Sequence, residues 1–327
     1  MENPGLSPLV AARAAALAYY SPYYFLRHLA AERQQELFGT GAAARWEQGV
    51  GATTFHSQPQ PQPQPPRAAA AAEVHWLLRR LAWDSDYFGT PTYRLFTALF
   101  EELASPAQLV RAATDLRQQL AARHPAFYAF SVVPAEDIRL LQGLTGAGWQ
   151  LVETRLTYYR DQLPAFDYPR YPVRPATAGE APLVGQVAAA ARNAHDRFHA
   201  DPWFGEARAD AYLARYAENA VAAGLADVVL LPDQPGLPVD AFLAISDLAH
   251  DARALGVGLS RVLLTAVGPA NRGWHLKLVA ETVHRAQAAG HEAVLMTTQA
   301  TNHAVFRTCE KLGFRLGATS HVLACHG

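Results

Sequence analysis

One arginine stands where an apolar strand gives way to a helix. The segment Leu263-Leu264-Thr265-Ala266-Val267-Gly268-Pro269-Ala270-Asn271-Arg272-Gly273-Trp274 is apolar up to Pro269, turns, and then opens a helical pattern. The first N–H groups of a helix have no partner inside it, and the dipole is positive at that end, so such a start attracts phosphate. Arg272 and Lys277 add positive charge nearby. An ordinary strand-to-helix turn has the same appearance from these residues alone. A second group is Met296-Thr297-Thr298-Gln299-Ala300-Thr301-Asn302, a helix, and Lys311-Leu312-Gly313-Phe314. Asn302 suits a helix N-cap and Gly313 a C-cap. His195 and His199 lie four apart with Asp201 close behind, a spacing that fits a metal on one helix face. The pattern offers no third ligand, and the expectation is that no metal is held. Arg197 and Asp201 suit contact with a substrate or a plain salt bridge. His321 and His326, near the C-terminus, are candidate general bases.

Elements of two periods must position these groups. Residues 1–54 read as helical, from an Ala-rich run at 9–18 and apolar spacing at 24–37. Residues 58–66 alternate Pro and Gln, cannot bury apolar surface, and read as a polyproline spacer within a linker at 55–70. Strand signals follow at 75–81, 127–133 and 150–159, and helical ones at 107–122 and 136–145, with residues 83–89 as a polar and aromatic loop. Prolines near 164–172 mark a domain junction. The later half carries strands at 173–175, 227–231, 241–247, 261–267, 293–298 and 314–323. Its helices fall at 181–194, 207–222, 271–289 and 303–312. Alternation of this kind implies an α/β (α+β) sheet with helices on its faces. A weak repeat relates residues 127–158 to 293–323. Each runs strand, helix, Gly-aromatic (Gly148-Trp149 and Gly313-Phe314), strand. This suggests two related half-folds packed side by side.

Taken in order, the Arg272 turn, Asn302, the last helix and Leu312-Gly313-Phe314 resemble the C-terminal part of the GNAT acyltransferases. A narrower resemblance is to the dTDP-fucosamine acetyltransferases, also called TDP-4-amino-4,6-dideoxygalactose N-acetyltransferases. It rests on Leu81-Ala82-Trp83-Asp84-Ser85-Asp86-Tyr87-Phe88-Gly89, on Arg197-Phe198-His199-Ala200-Asp201-Pro202 with Tyr212, and on Thr298-Gln299. The resemblance implies a truncated GNAT-like half at 71–165 and a full GNAT acyltransferase domain with a mixed central sheet at 171–327. It also implies transfer of acetyl from acetyl-CoA to the amine of a nucleotide-linked amino sugar, without a metal. Backbone N–H groups near Ala266 and Val267 would face the thioester oxygen. Arg272, Gly273, Trp274, His275, Leu276 and Lys277 would form the pyrophosphate loop, with Asn302 beside the cofactor. Arg197 and Asp201 would meet the acceptor. Two departures stand out. His275 and Lys277 replace small residues of that loop, so they either obstruct phosphate or Lys277 supplies charge in place of amide contacts. Cys309, seven residues after Asn302, replaces a Tyr general acid. It suits either proton donation or a small core position. A different small amine or peptide acceptor, or a non-catalytic binding module, remain alternatives.

The bulk composition is globular, with 50% hydrophobic and 17% charged residues. A net charge of -1 offers no electrostatic reason for a nucleic acid or membrane partner. The two cysteines, Cys309 and Cys325, form no CxxC pair, and no secretory leader or bilayer-length apolar run is read. The expectation is a cytoplasmic enzyme acting on a small molecule, with a homodimer among its open assemblies.

Overall fold

The computed structural model describes residues 7–50, 52–57 and 73–327; the Pro/Gln stretch expected as a spacer lies outside them. The chain divides into two compact units, Met1–Thr154 with Thr319–Gly327, and Arg155–Ala318. The division does not fall at the prolines near 164–172. It cuts inside two strands, because each half of the chain donates its last strand to the other unit.

The first unit begins with short helices α1 (Pro8–Ala12), α2 (Ala14–Leu17), α3 (Ala31–Phe38) and α4 (Thr40–Glu47). Its strands are β1 (Thr53–Ser57), β2 (Val74–Arg80), β3 (Thr92–Phe100) and β4 (Tyr128–Pro134). Between them lie α5 (Ala82–Phe88) and α6 (Pro106–Arg123), and α7 (Ile138–Gly146) leads into β5 (Gln150–Arg160). Residues 53–57 were expected as the end of a helical segment and the start of a linker. They pair instead with β2 as an edge strand. The loop expected at 83–89 is the helix α5, closed by left-handed Gly89. Strand β3, which the sequence pattern did not single out, pairs antiparallel with β2 and parallel with β4.

Side chains alternate across a strand, so β2 feeds two cores. Trp76 and Leu78 join Phe100, Leu116, Leu120 and Leu144 on the side of α6 and α7. Leu77 and Leu99 face the other way and meet Val10, Leu17 and Ala43. The N-terminal helices therefore cover the second face of this sheet rather than forming a separate segment. Buried Arg13 fastens them there, pairing with the Asp137 carboxylate and donating from Nε to the Ala98 carbonyl at 3.2 Å. Asp137 also accepts from Leu140 N–H as the N-cap of α7.

The second unit runs through β6 (Val173–Pro175), α8 (Ala181–Ala190), α9 (Arg197–Ala200), α10 (Glu206–Ala222), β7 (Val228–Pro232), β8 (Ala241–Ser246) and α11 (Ala249–Leu255). It continues with β9 (Leu259–Val267), α12 (Trp274–Ala288), β10 (Ala293–Gln299), α13 (His303–Lys311) and β11 (Arg315–His326). Residues 155–160 of β5 pair with β10, and the order continues β10-β9-β8-β7-β6. Only β9 and β10 run parallel in this unit. Helices α8 and α10 cover one face through Val184, Val187 and Ala217. Helices α12 and α13 cover the other through Leu278, Val279, Val283 and Val305.

The repeat has a structural counterpart. Gly148 and Gly313 both adopt positive φ, 85° and 68°. Each lets the following N–H return to the helix, Trp149 to Leu144 at 3.0 Å and Phe314 to Cys309 at 2.8 Å. Trp149 is thereby buried in the first unit and Phe314 in the second. Their two closing strands then exchange, and the last residues of β11 pair with β4.

Candidate anion-binding cleft

Strands β9 and β10 pair from Leu259–Val262 against Ala293–Met296 and no further. Opposite β8, the register of β9 slips at Leu263, where one extra residue enters the strand. Past that bulge β9 continues to Val267 paired only with β8, so its backbone groups on the β10 side are released from the ladder. Ala266 is buried towards α8 and α10, and Val267 faces the opposite side.

The turn after β9 is held by residues that the sequence pattern did not single out. Gly268 N–H donates to the Asp240 carbonyl at 2.7 Å, and Ala270 N–H donates to the Asp240 carboxylate at 2.8 Å. A Cβ at Gly268 would lie 2.0 Å from Asp240 Oδ1, so a larger residue would displace the carboxylate that Ala270 N–H donates to. Buried Asn271 donates from Nδ2 to the Pro238 carbonyl at 3.0 Å. Gly273, at φ 88°, then starts α12 with no side-chain cap. The first N–H groups of a helix have no intrahelical partner, so those of Trp274, His275 and Leu276 are available to a ligand.

A cleft of about 570 Å³ opens over this helix start. Arg272 lines it from the turn, and Arg307 and Lys311 line it from α13. No carboxylate is among its lining residues. Arg307 and Lys311 were missed at the sequence level. They lie on the exposed face of a helix whose relation to the Arg272 turn is a tertiary fact; their spacing of one helical turn was the available signal.

Of the two unusual loop residues, His275 lines the cleft and Lys277 does not. His275 turns towards α13 and shares a 3.0 Å hydrogen bond between Nδ1 and Thr308 Oγ1. Burial pulls its pKa down to about 4, so the ring is neutral at pH 7. The Lys277 ammonium sits over the Trp274 ring at 4.5 Å and the Tyr171 ring at 5.4 Å, and Lys277 does not line the cleft. Trp274 is buried in the core. Leu276 lines the cleft.

Asn302 is the N-cap of α13 and accepts from Val305 N–H at 3.3 Å. Cys309 is fully buried beside Met296, Val305 and Phe314, and burial pushes its thiol up to about 12. Its surroundings are those of a packing residue. Tyr158, on the donated strand β5, packs half-buried against the same core with its ring 6.0 Å from that of Phe306. Burial raises its hydroxyl pKa, with smaller upward contributions from Cys309 and Glu310.

Arg197 and Asp201 are both buried. The Arg197 guanidinium lies 4.3 Å from the Phe198 ring centre, and Asp201 accepts from Trp203 N–H at 3.0 Å. His195 and His199 do not share a helix, since α8 ends at Ala190 and α9 begins at Arg197. His199 meets carboxylates at both ring nitrogens, Asp196 at 2.8 Å and Asp210 at 3.0 Å. Between the helices, Asn193 donates to Gln299 at 2.8 Å and ties this loop to the end of β10. His321 and His326 belong to the first unit, where His321 Nδ1 meets Thr154 Oγ1 at 3.1 Å.

No protein-family model and no curated protein matches the chain. Solved structures do. A GCN5-related N-acetyltransferase from Sphaerobacter thermophilus superposes with a TM-score of 0.54 at 13% identity, covering 99% of this chain and 94% of that one. The fold is that of the GNAT acetyltransferases. A GCN5-related N-acetyltransferase from Kribbella flavida also matches, at 17% identity and a TM-score of 0.44, covering 79% of this chain and 88% of that one. So does a tandem GNAT protein from the clavulanic acid biosynthesis pathway, at 15% and 0.45, with coverage of 80% and 81%. Among the described residues, no helix is long and apolar enough to cross a membrane.

Proposed function

We propose that the protein is an acetyl-CoA-dependent N-acetyltransferase. The observation that carries this is the uncapped start of α12, facing a cleft lined by Arg272, Arg307 and Lys311 without a carboxylate. Helix N–H groups and three cations suit the pyrophosphate and ribose phosphate of CoA. The parting of β9 and β10 gives the pantetheine arm a path, and the released N–H groups near Ala266 and Val267 suit the thioester oxygen.

In the reaction, the lone pair of a neutral acceptor amine attacks the thioester carbonyl carbon. The tetrahedral intermediate collapses by breaking the C–S bond. The nitrogen gives up a proton to solvent and the leaving thiolate takes one from a protein donor. We assign that second proton to Tyr158 rather than to Cys309, whose thiol is enclosed by core side chains. The Tyr158 phenol is protonated at neutral pH and so has a proton to give, although burial makes it a weaker acid than a free phenol. Tyr158→Phe is expected to lower kcat about tenfold or more with acetyl-CoA affinity unchanged. An unchanged kcat removes Tyr158 from the mechanism.

For the acceptor we propose a nucleotide-linked amino sugar, of the dTDP-4-amino-4,6-dideoxyhexose type. It rests on the resemblance carried by residues 81–89 and by Arg197-Phe198-His199-Ala200-Asp201-Pro202. The first test is calorimetric titration with acetyl-CoA, with adenosine nucleotides as controls, followed by a panel of nucleotide amino sugars, free amino sugars, peptides and small amines. Saturable binding with acetylation of a nucleotide amino sugar supports both parts. Binding with turnover of a peptide or small amine overturns the acceptor alone. Absence of binding in folded protein overturns the enzyme assignment.

A further inference from the structure

The first unit carries a side-chain cluster that the acetyl-transfer chemistry does not use. His56 on β1 and His75 on β2 stand directly opposite each other in the antiparallel register, with ring centres 4.4 Å apart. Glu73 precedes His75 by two residues, so strand alternation puts it on the same face. Its carboxylate meets His75 Nε2 at 2.8 Å. One ligand-type atom from each of His56, Glu73 and His75 lies within 4.8 Å of the others. On the far side of the ring, His75 Nδ1 meets the carboxylate of Glu47, the last residue of α4, at 3.1 Å.

We propose that His56, His75 and Glu73 form a binding site for a divalent transition-metal ion, Zn²⁺ being the ion that fits best. Two imidazoles and one carboxylate make a tetrahedral donor set with one position left for water. His56 and Glu73 are exposed, so the open position faces solvent. Glu47 supplies what a metal-bound histidine ordinarily has, a carboxylate accepting the N–H of the other ring nitrogen. That contact fixes the tautomer that presents Nε2 to the metal, on the side where Glu73 already stands. The antiparallel register sets His56 opposite His75, and Glu73 and Glu47 flank the same ring. A metal ion would use all four residues, three as ligands and Glu47 as the partner of a ligand. Bound there, it joins α4, β1 and β2, and it closes the chain across the segment 58–72, which His56 and Glu73 flank. The site is a clip within the first unit, apart from the cleft residues of the second.

The test is calorimetric titration of chelator-treated full-length protein with Zn²⁺, together with thermal unfolding. One equivalent is expected to bind at micromolar or tighter affinity and to raise Tm by several degrees. Co²⁺ is expected to give the visible absorption of a tetrahedral N/O site. The decisive variant is His56→Gln. It removes one ligand and leaves the Glu47–His75–Glu73 pairing in place, so a merely structural ion-pair cluster is unaffected by it. His56→Gln is expected to weaken Zn²⁺ at least tenfold and to abolish the Tm shift, with circular dichroism unchanged. Absence of stoichiometric binding by the natural protein, or equal affinity in His56→Gln, overturns the proposal and leaves a histidine held between two glutamates.

Discussion

At the scale of single residues, the cleft depends on charge and on which way two side chains turn. Arg272 lines the cleft, whereas Lys277 lies over two aromatic rings. Arg272→Ala is therefore expected to weaken acetyl-CoA by about tenfold, roughly 1.4 kcal/mol, as the loss of one charge-assisted contact. Lys277→Met is expected to leave affinity unchanged and to cost about 0.5–1 kcal/mol of stability through the lost cation–π contact. Calorimetry and denaturant melts on both variants check this, and the reverse order of effects would return Lys277 to the phosphate site. His275 brings a pH dependence. Its folded pKa, about 4, lies below its ordinary value of 6.5. The unfolded chain therefore binds the extra proton first as pH falls. The stability that neutral, buried His275 contributes is complete above about pH 6.5 and is lost as pH falls towards 4, by at most about 3 kcal/mol. His275→Gln keeps a side chain able to reach Thr308 and cannot titrate. Its Tm is expected to fall less than that of the natural protein over this range, and parallel curves would assign the acid sensitivity to another group.

At the scale of elements, the N-terminal helices hold to the sheet by apolar packing and through a buried cation. Arg13 pairs with Asp137, donates to the Ala98 carbonyl and lies 4.2 Å from the Phe100 ring centre. Tyr20 also donates to Asp137, at 2.8 Å. Removing the arginine leaves a buried carboxylate short of its cation, for which the expected cost is about 3–5 kcal/mol. Arg13→Met, measured by urea denaturation, is expected to lose most of that even though it conserves the apolar stem. A loss under about 1 kcal/mol would mean that Asp137 is satisfied by Tyr20 and the Leu140 N–H alone. The turn before α12 shows the same logic in backbone form. Asp240 and Asn271 hold its geometry, so the N–H groups at the start of α12 are aimed before any ligand arrives.

At the scale of the whole molecule, each unit is completed by a strand from the other half of the chain. Residues 319–327 close the first unit against β4, with Phe127 N–H donating to the Gly327 carbonyl at 3.2 Å and Gly327 N–H returning at 3.3 Å. Truncation after Ala318 leaves β4 with an open apolar edge, and such edges aggregate. The truncated chain is expected to lose soluble yield, or to melt several degrees lower, although every residue of the candidate cleft is retained. Thermal melts and size-exclusion chromatography check this, and an unchanged Tm would mean that the exchanged strand is dispensable.

The sequence by itself determined most of the helices and strands of the second half, the turn at Arg272, and the two Gly-aromatic caps. All of these are local: periodicity, a positive φ and a helix start depend on neighbours in the chain. Strand β3 and helix α5 escaped notice. The first is buried along most of its length and lacks clean alternation, and the second is a short helix that draws little from propensity alone. Cys309 was legible as a departure from a pattern, but its enclosure was not, because the side chains around it come from β10, α13 and the turn before β11. Only the tertiary structure brought Arg307 and Lys311 to Arg272, set His275 against Thr308 and Lys277 over two aromatic rings, and exchanged the closing strands. Those outcomes follow from how apolar faces are shared between segments far apart in the chain, and burial of that kind leaves no local mark in the order of residues.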